Sequence, residues 1–206
     1  MIEAQHHTIM YPLFEWLTRF LIHREFNTVT CEGEFADTGK PVLVIANHVS
    51  WWDGFWVEYL NQKVLKRRFY FMMLEEQLKK HWYFRYTGGF SIKKKSRSAL
   101  ESLQYSRELL QHAENMVLIF PQGEICSMHR DVLTFEKGIE RILERIAPET
   151  QVVFVANVLD YFSDKKPNVW FYFKSFGVEQ LRETGVEKEY NAFYRQCLNS
   201  QKVKTS

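Results

Sequence analysis

The stretch "PVLVIANHVSWWDGFW", residues 41–56, passes from an unbroken apolar run into a polar turn and then into a cluster of aromatic rings. Five consecutive apolar residues, 42–46, suit a strand buried on both faces, the kind found in parallel sheets covered by helices. His48 then stands just past a strand end and at the start of a helix, where it is held rigidly yet open to a cleft. A histidine's unperturbed pKa of ~6.5 lets such a group accept a proton at neutral pH. Asp53, five positions on, is placed to reach back to one ring nitrogen, fixing the tautomer and stabilising the imidazolium. Ser50 and Asp53 also resemble a capping box, since an acidic residue favours a helix N-terminus in any case. This stretch alone leaves both readings open, and they are compatible.

Apolar runs of the same kind recur at 68–74 (RFYFMML), 116–121 (MVLIFP), 151–158 (QVVFVANV) and 168–176 (NVWFYFKSF). Between them the spacing turns helical, with leucines at 100, 103, 109 and 110, and with Ile139, Ile142, Leu143 and Ile146. The tail over about 178–199 reads as another helix. Short apolar strands alternating with helices predict an α/β fold in a single domain, with a mostly parallel sheet covered by helices on both faces. In such sheets ligands bind beyond the carboxyl ends of the strands. "NHVSWWD" leaves one buried strand and "PQGEICS" (121–127) leaves another, so the two turns are expected to face each other across one crevice.

A chain of 206 residues with 46% hydrophobic content can bury one full core, and no repeat, low-complexity tract or linker divides it. The net charge of +2 hides an uneven distribution: residues 63–97 hold eleven of the 27 Lys and Arg but only two of the 25 Asp and Glu. A basic middle in a near-neutral protein suits a local anionic partner or a solvated helix face. No nucleic-acid motif accompanies it, so nucleic acid is not an expected partner. Three scattered cysteines (Cys31, Cys126, Cys197) form no disulfide framework and point to a reducing compartment. The N-terminus lacks the marks of a signal peptide, and its apolar stretch is too short to span a bilayer. Leu13, Phe14, Trp16, Leu17, Phe20 and Leu21 form one broad apolar-aromatic helix face. That predicts an amphipathic helix over 1–25, packed on the domain or lying in a membrane interface, ahead of a domain over 26–206.

"N-H-x-S-x-x-D" at 47–53 resembles the first block of the PlsC-type lysophospholipid acyltransferase superfamily, whose hallmark is H-x4-D. Three further blocks follow in order. "GGFSIKKKS" (88–96) resembles the glycine-led second block, "IFPQGEICS" (119–127) with "FEKG" (135–138) resembles the third, and "VVFVAN" (152–157) occupies the place of the fourth. The resemblance covers roughly 40–160. It implies transfer of a fatty acyl group from a thioester, acyl-CoA or acyl carrier protein, to a hydroxyl of a lysophospholipid or related glycerolipid, as in 1-acylglycerol-3-phosphate acylation. His48 is then the general base and Asp53 its orienting acid, with substrate contacts from Asn47, Ser50, Lys93, Gln122, Gly123 and Glu124. Backbone N–H groups near Gly123 are the expected oxyanion donors. No metal and no cofactor beyond the acyl-CoA or acyl-ACP co-substrate is implied, and the protein is expected on the cytoplasmic face of a membrane as a peripheral partner.

The departures from the family pattern fall on the acceptor side. Gln122, Glu124 and Ile125 stand where glutamate, threonine and arginine are usual in the third block. Lys93 replaces an arginine in the second block, and Phe154 a proline in the fourth. An arginine fork holds a phosphate bidentately, whereas lysine offers a point charge. Either the lysines 93–95 replace the fork, with Arg130 close by in sequence, or Glu124 and Gln122 serve a neutral, glycosylated or zwitterionic acceptor. A non-catalytic membrane-binding homologue is the remaining alternative, and the retained His48 and Asp53 argue against it.

Overall fold

The computed structural model of the chain describes residues 1–93 and 97–205. Its centre is strand β2 (Val42–Ala46), in which every residue is buried. It is flanked on both sides by parallel neighbours, β5 (Asn115–Ile119) and β6 (Gln151–Asp160). Beyond β5 lie β3 (Arg68–Leu74) and the short β4 (Gly89–Ile92), also parallel. On the other side β6 pairs antiparallel with β7 (Asn168–Phe176), which pairs in parallel with β1 (Val29–Glu34). The seven-stranded order is β1-β7-β6-β2-β5-β3-β4. The chain is thus an α/β domain on a mostly parallel sheet, as its apolar runs predict.

Alternate residues of β2 serve two cores. Leu43 and Ile45 face α4 (Arg97–Leu109), α5 (Gly138–Leu143), α6 (Val178–Thr184) and α7 (Val186–Lys202). Val42, Val44 and Ala46 face α1 (Met10–Glu25) and α2 (Asp53–Leu60), meeting Phe14, Ile22 and Trp56. The remaining helix, α3 (Glu75–Lys80), leads into a 3-10 turn, Trp82–Thr87.

Two edge strands escaped the apolar pattern for a physical reason. β1, "VTCEGE", is half-exposed and so carries no unbroken apolar run, and β4 is only four residues long. The C-terminal helix predicted over 178–199 is divided at Gly185, whose φ of 89° ends α6 and which no side-chain-bearing residue adopts readily. The helix predicted over 1–25 begins only at Met10: ahead of it the chain bonds to β4 and the turn before it, the Ser91 N–H on the Ile2 carbonyl at 2.9 Å and the Gln5 N–H on the Arg85 carbonyl at 2.8 Å. Helix α1 is packed on the domain by Phe14, Thr18 and Ile22, so Phe14 turns away from the face its spacing assigned it to. Its opposite side exposes Ile9, Leu13, Trp16, Leu17 and Phe20. Among the described residues no helix is long and apolar enough to cross a membrane.

Candidate active site

The polar turn after β2 is tied down on every side. Asn47 is fully buried, its amide nitrogen donating to the Asn157 carbonyl at 2.9 Å and its oxygen accepting from the Asn157 N–H at 2.7 Å. It therefore clamps the end of β2 to the body of β6. His48 follows, one quarter exposed, with Nδ1 2.7 Å from Asp53 Oδ2. The carboxylate acceptor assigns the ring proton to Nδ1 and leaves Nε2, which has no partner among the described residues, as the basic nitrogen.

Asp53 Oδ2 also accepts the N–H groups of Val49 (2.7 Å) and Ser50 (2.9 Å), while Ser50 Oγ accepts from the Trp52 N–H at 3.1 Å. The helix-start reading and the dyad reading of this stretch therefore describe one arrangement. The carboxylate that organises the first turn of α2 is the one that holds the imidazole. Burial raises the Asp53 carboxyl above its ordinary range, with the His48 contact and the two backbone N–H groups acting in the opposite sense. A buried acceptor of three hydrogen bonds is suited to stabilise a positive charge on the ring it touches.

The second turn closes on the first. Gln122, at the end of β5's apolar run, is buried, and its Oε1 accepts the His48 N–H at 2.6 Å. The Cys126 N–H donates to the His48 carbonyl at 2.8 Å. Phe120 stacks under the imidazole, ring centroids 4.3 Å apart and 13° from parallel. Both backbone groups of His48 and one face of its ring are thus fixed by the β5 turn. The two turns expected to face each other do meet, by direct bonds and ring stacking between them.

The sequence-predicted substrate residues separate into two sets. The Ser50 N–H bonds the Asp53 carboxylate, Gln122 accepts the His48 backbone N–H, and Asn47 bonds β6 instead. Glu124 is exposed on the loop. Gly123 makes the turn with φ 68°, and its N–H donates to the Phe120 carbonyl at 3.1 Å. That engagement leaves the Glu124 and Ile125 N–H groups as unbonded donors of the loop among the described residues. Lys93 follows β4, on the sheet edge that carries His48, but three strand spacings away, on the order of 14 Å. Lys94 and Lys95 lie outside the described residues. Two groups that sequence alone did not single out are Phe120 and the contact of Arg130 Nη1 with Cys126 Sγ at 3.2 Å. The latter sets a guanidinium on the side chain of the residue that bonds His48. On the two turns Trp51, Ile125 and Met128 are exposed apolar side chains.

A family model described as acyltransferase matches residues 28–159 of the chain. No curated protein sequence matches it.

Proposed function

The chain belongs to the PlsC-type acyltransferase family, and from that premise we propose that it transfers a fatty acyl group from a thioester donor, acyl-CoA or acyl-ACP, to a hydroxyl of a lysophospholipid-like acceptor. The observation that carries this reading is the His48–Asp53 contact at 2.7 Å with Nε2 turned to a partly open site. Nε2 takes the proton of the acceptor hydroxyl as its oxygen attacks the thioester carbonyl. The tetrahedral intermediate collapses with loss of the thiolate, which recovers that proton from the imidazolium. The thioester is already activated, so no covalent enzyme intermediate is needed. Asp53 stabilises the transient cation, and the Glu124 and Ile125 N–H groups are the loop donors suited to the developing oxyanion.

For the acceptor, Arg130 is bonded to Cys126, the residue that holds the His48 carbonyl, and its guanidinium fork suits a phosphate better than the point charge of Lys93 does. Glu124, exposed on the same loop, supports the second reading of a neutral or sugar-bearing acceptor. The exposed stripe of α1 and the apolar rim at Trp51 favour work at a membrane surface, held peripherally. Thiol release from acyl-CoA and acyl-ACP, measured over a panel of acceptors with products identified by mass, tests the whole proposal. Turnover with lysophosphatidate that falls in Arg130→Ala supports the phosphate reading. Activity confined to uncharged acceptors and lost in Glu124→Gln supports the second reading, and no thiol release with any acceptor overturns both.

A further inference from the structure

At the opposite edge of the sheet from His48, a cleft of about 620 Å³ runs between α1 and the segment 61–68. Four cations line it, Arg19 from α1 and the consecutive Lys66, Arg67 and Arg68, against one carboxylate, Glu15. Arg67 is engaged by Asp37, with Nη1 3.0 Å from Oδ2, yet its Nε–H is buried without an acceptor. Arg19, Lys66 and Arg68 make no ion pair among the described residues. Like charges gathered around one cleft repel each other unless an anion joins them.

The backbone presenting these cations is fixed. Residues Asn61–Leu65 form one π-helical turn, a form common at functional sites. Lys66 closes it in the left-handed conformation, φ 55°, with its N–H on the Asn61 carbonyl at 2.7 Å. The Asn61 side chain then grips Arg67 twice, accepting its N–H at 2.9 Å and donating to its carbonyl at 2.8 Å. A strained, doubly bonded turn that does nothing but hold Arg67 and expose Lys66 and Arg68 on either side of it would be costly to keep.

Neighbouring surface identifies the source of the anion. A second cleft shares Arg19 and is walled by Trp16 and Phe20 of the exposed apolar stripe, so cations and stripe meet along one edge of α1. Arg68 opens β3, and β3 runs parallel to β5 and so to β2; seven residues of strand separate this edge from the catalytic one by on the order of 20 Å. The cleft is therefore not the acceptor's place in the reaction.

We propose that this cleft binds the phosphate of an anionic phospholipid headgroup, at a site separate from that of acyl transfer. The proposal rests on the reading of α1 as interfacial, and the experiment keeps the two apart. Full-length protein is titrated with vesicles of phosphatidylglycerol in phosphatidylcholine, with phosphatidylcholine alone, and with soluble glycerol 3-phosphate. Arg19→Gln combined with Arg68→Gln is compared with Lys188→Gln combined with Lys202→Gln, an equal charge loss on α7 across the sheet. The cleft pair is expected to weaken phosphatidylglycerol vesicle binding about tenfold or more, and the α7 pair less than about twofold, since each basic residue near an anionic surface adds on the order of 1 kcal/mol. Equal loss in both pairs, or none in either, overturns the proposal. Loss of glycerol 3-phosphate binding with vesicle binding intact overturns the lipid as the source. Trp16→Ser with Phe20→Ser, binding both vesicle types as the wild type does, would instead overturn the interfacial reading. Acyl transfer to detergent-dispersed acceptor is expected to be unchanged in all of these variants.

Discussion

Helix α2 carries two acids that water does not reach, Asp53 in its first turn and Glu58 near its end; burial raises both carboxyls, and what differs is the set of donors facing each. Asp53 receives three hydrogen bonds on one oxygen, two from backbone N–H groups and one from a histidine able to become cationic. It also sits where the helix dipole favours negative charge. Glu58 has only neutral amide donors, Asn61 Nδ2 and Gln62 Nε2, both at 3.1 Å. Burial, with Glu15 adding repulsion, pushes its pKa up to about 8, so it is largely a neutral acid at pH 7. Two acids with the same burial on the same helix thus take different roles. What separates them is the charge and alignment of their donors.

The largest effect expected from this contrast is on turnover. His48→Ala should lose acyl transfer by ~10²–10⁴ while remaining folded, the usual consequence of losing a general base. Asp53→Asn should fall into the same range, because an amide holds the ring but cannot stabilise imidazolium. Near-normal turnover in a folded Asp53→Asn protein would erase the distinction between the two acids.

Glu58→Gln should leave turnover alone and change the pH dependence of stability. A carboxyl whose folded pKa is about 8 against an ordinary 4.5 holds its proton more tightly when folded than when unfolded. Wild-type stability from this group is therefore greatest below about pH 4.5, declines as pH rises toward 8, and is flat beyond. The total is roughly 3–5 kcal/mol. Urea unfolding of wild type and Glu58→Gln at pH 6 and pH 9 checks this, with the wild type losing more between the two. Parallel pH profiles would place Glu58 among ionised groups after all.

A smaller loss is expected from Gln122→Ala, which removes the 2.6 Å acceptor on the His48 N–H. Displacing the base slightly should cut kcat by about ten- to a hundredfold with KM little changed. A rise in KM alone would mark Gln122 as a substrate contact instead. Ser50→Ala deletes only the Oγ acceptor for the Trp52 N–H and keeps the Ser50 N–H on Asp53. It should cost about 1 kcal/mol of stability and leave turnover within a few-fold.

Legibility followed the kind of physics each feature depends on. The central strands were visible because burial on both faces demands continuous apolar sequence, and β3 and β7 fall on 68–74 and 168–176 as the apolar runs mark them. The edge strand β1 was not visible, because a half-exposed strand can be built from Thr, Glu and Gly. His48 and Asp53 were found through a short local spacing. Glu58 belongs to no motif, and the one mark of its burial is its place inside the apolar run "FWVEYL". The basic composition of 63–97 is plain in the sequence, but no linear pattern joins Arg19 to Lys66 and Arg68.

The sequence by itself determined the sheet's centre and the alternation with helices, because strands buried on both faces demand unbroken apolar runs. It set His48 and Asp53 close enough to meet but left dyad and helix cap both open, and the structure shows one carboxylate serving both. Tertiary structure alone decided that Gln122, Phe120 and Cys126 fix His48, since those contacts span more than seventy residues. It also decided that Asn47 clamps β6 and that Glu58 keeps its proton, because burial and donor geometry depend on which distant segments pack against a side chain.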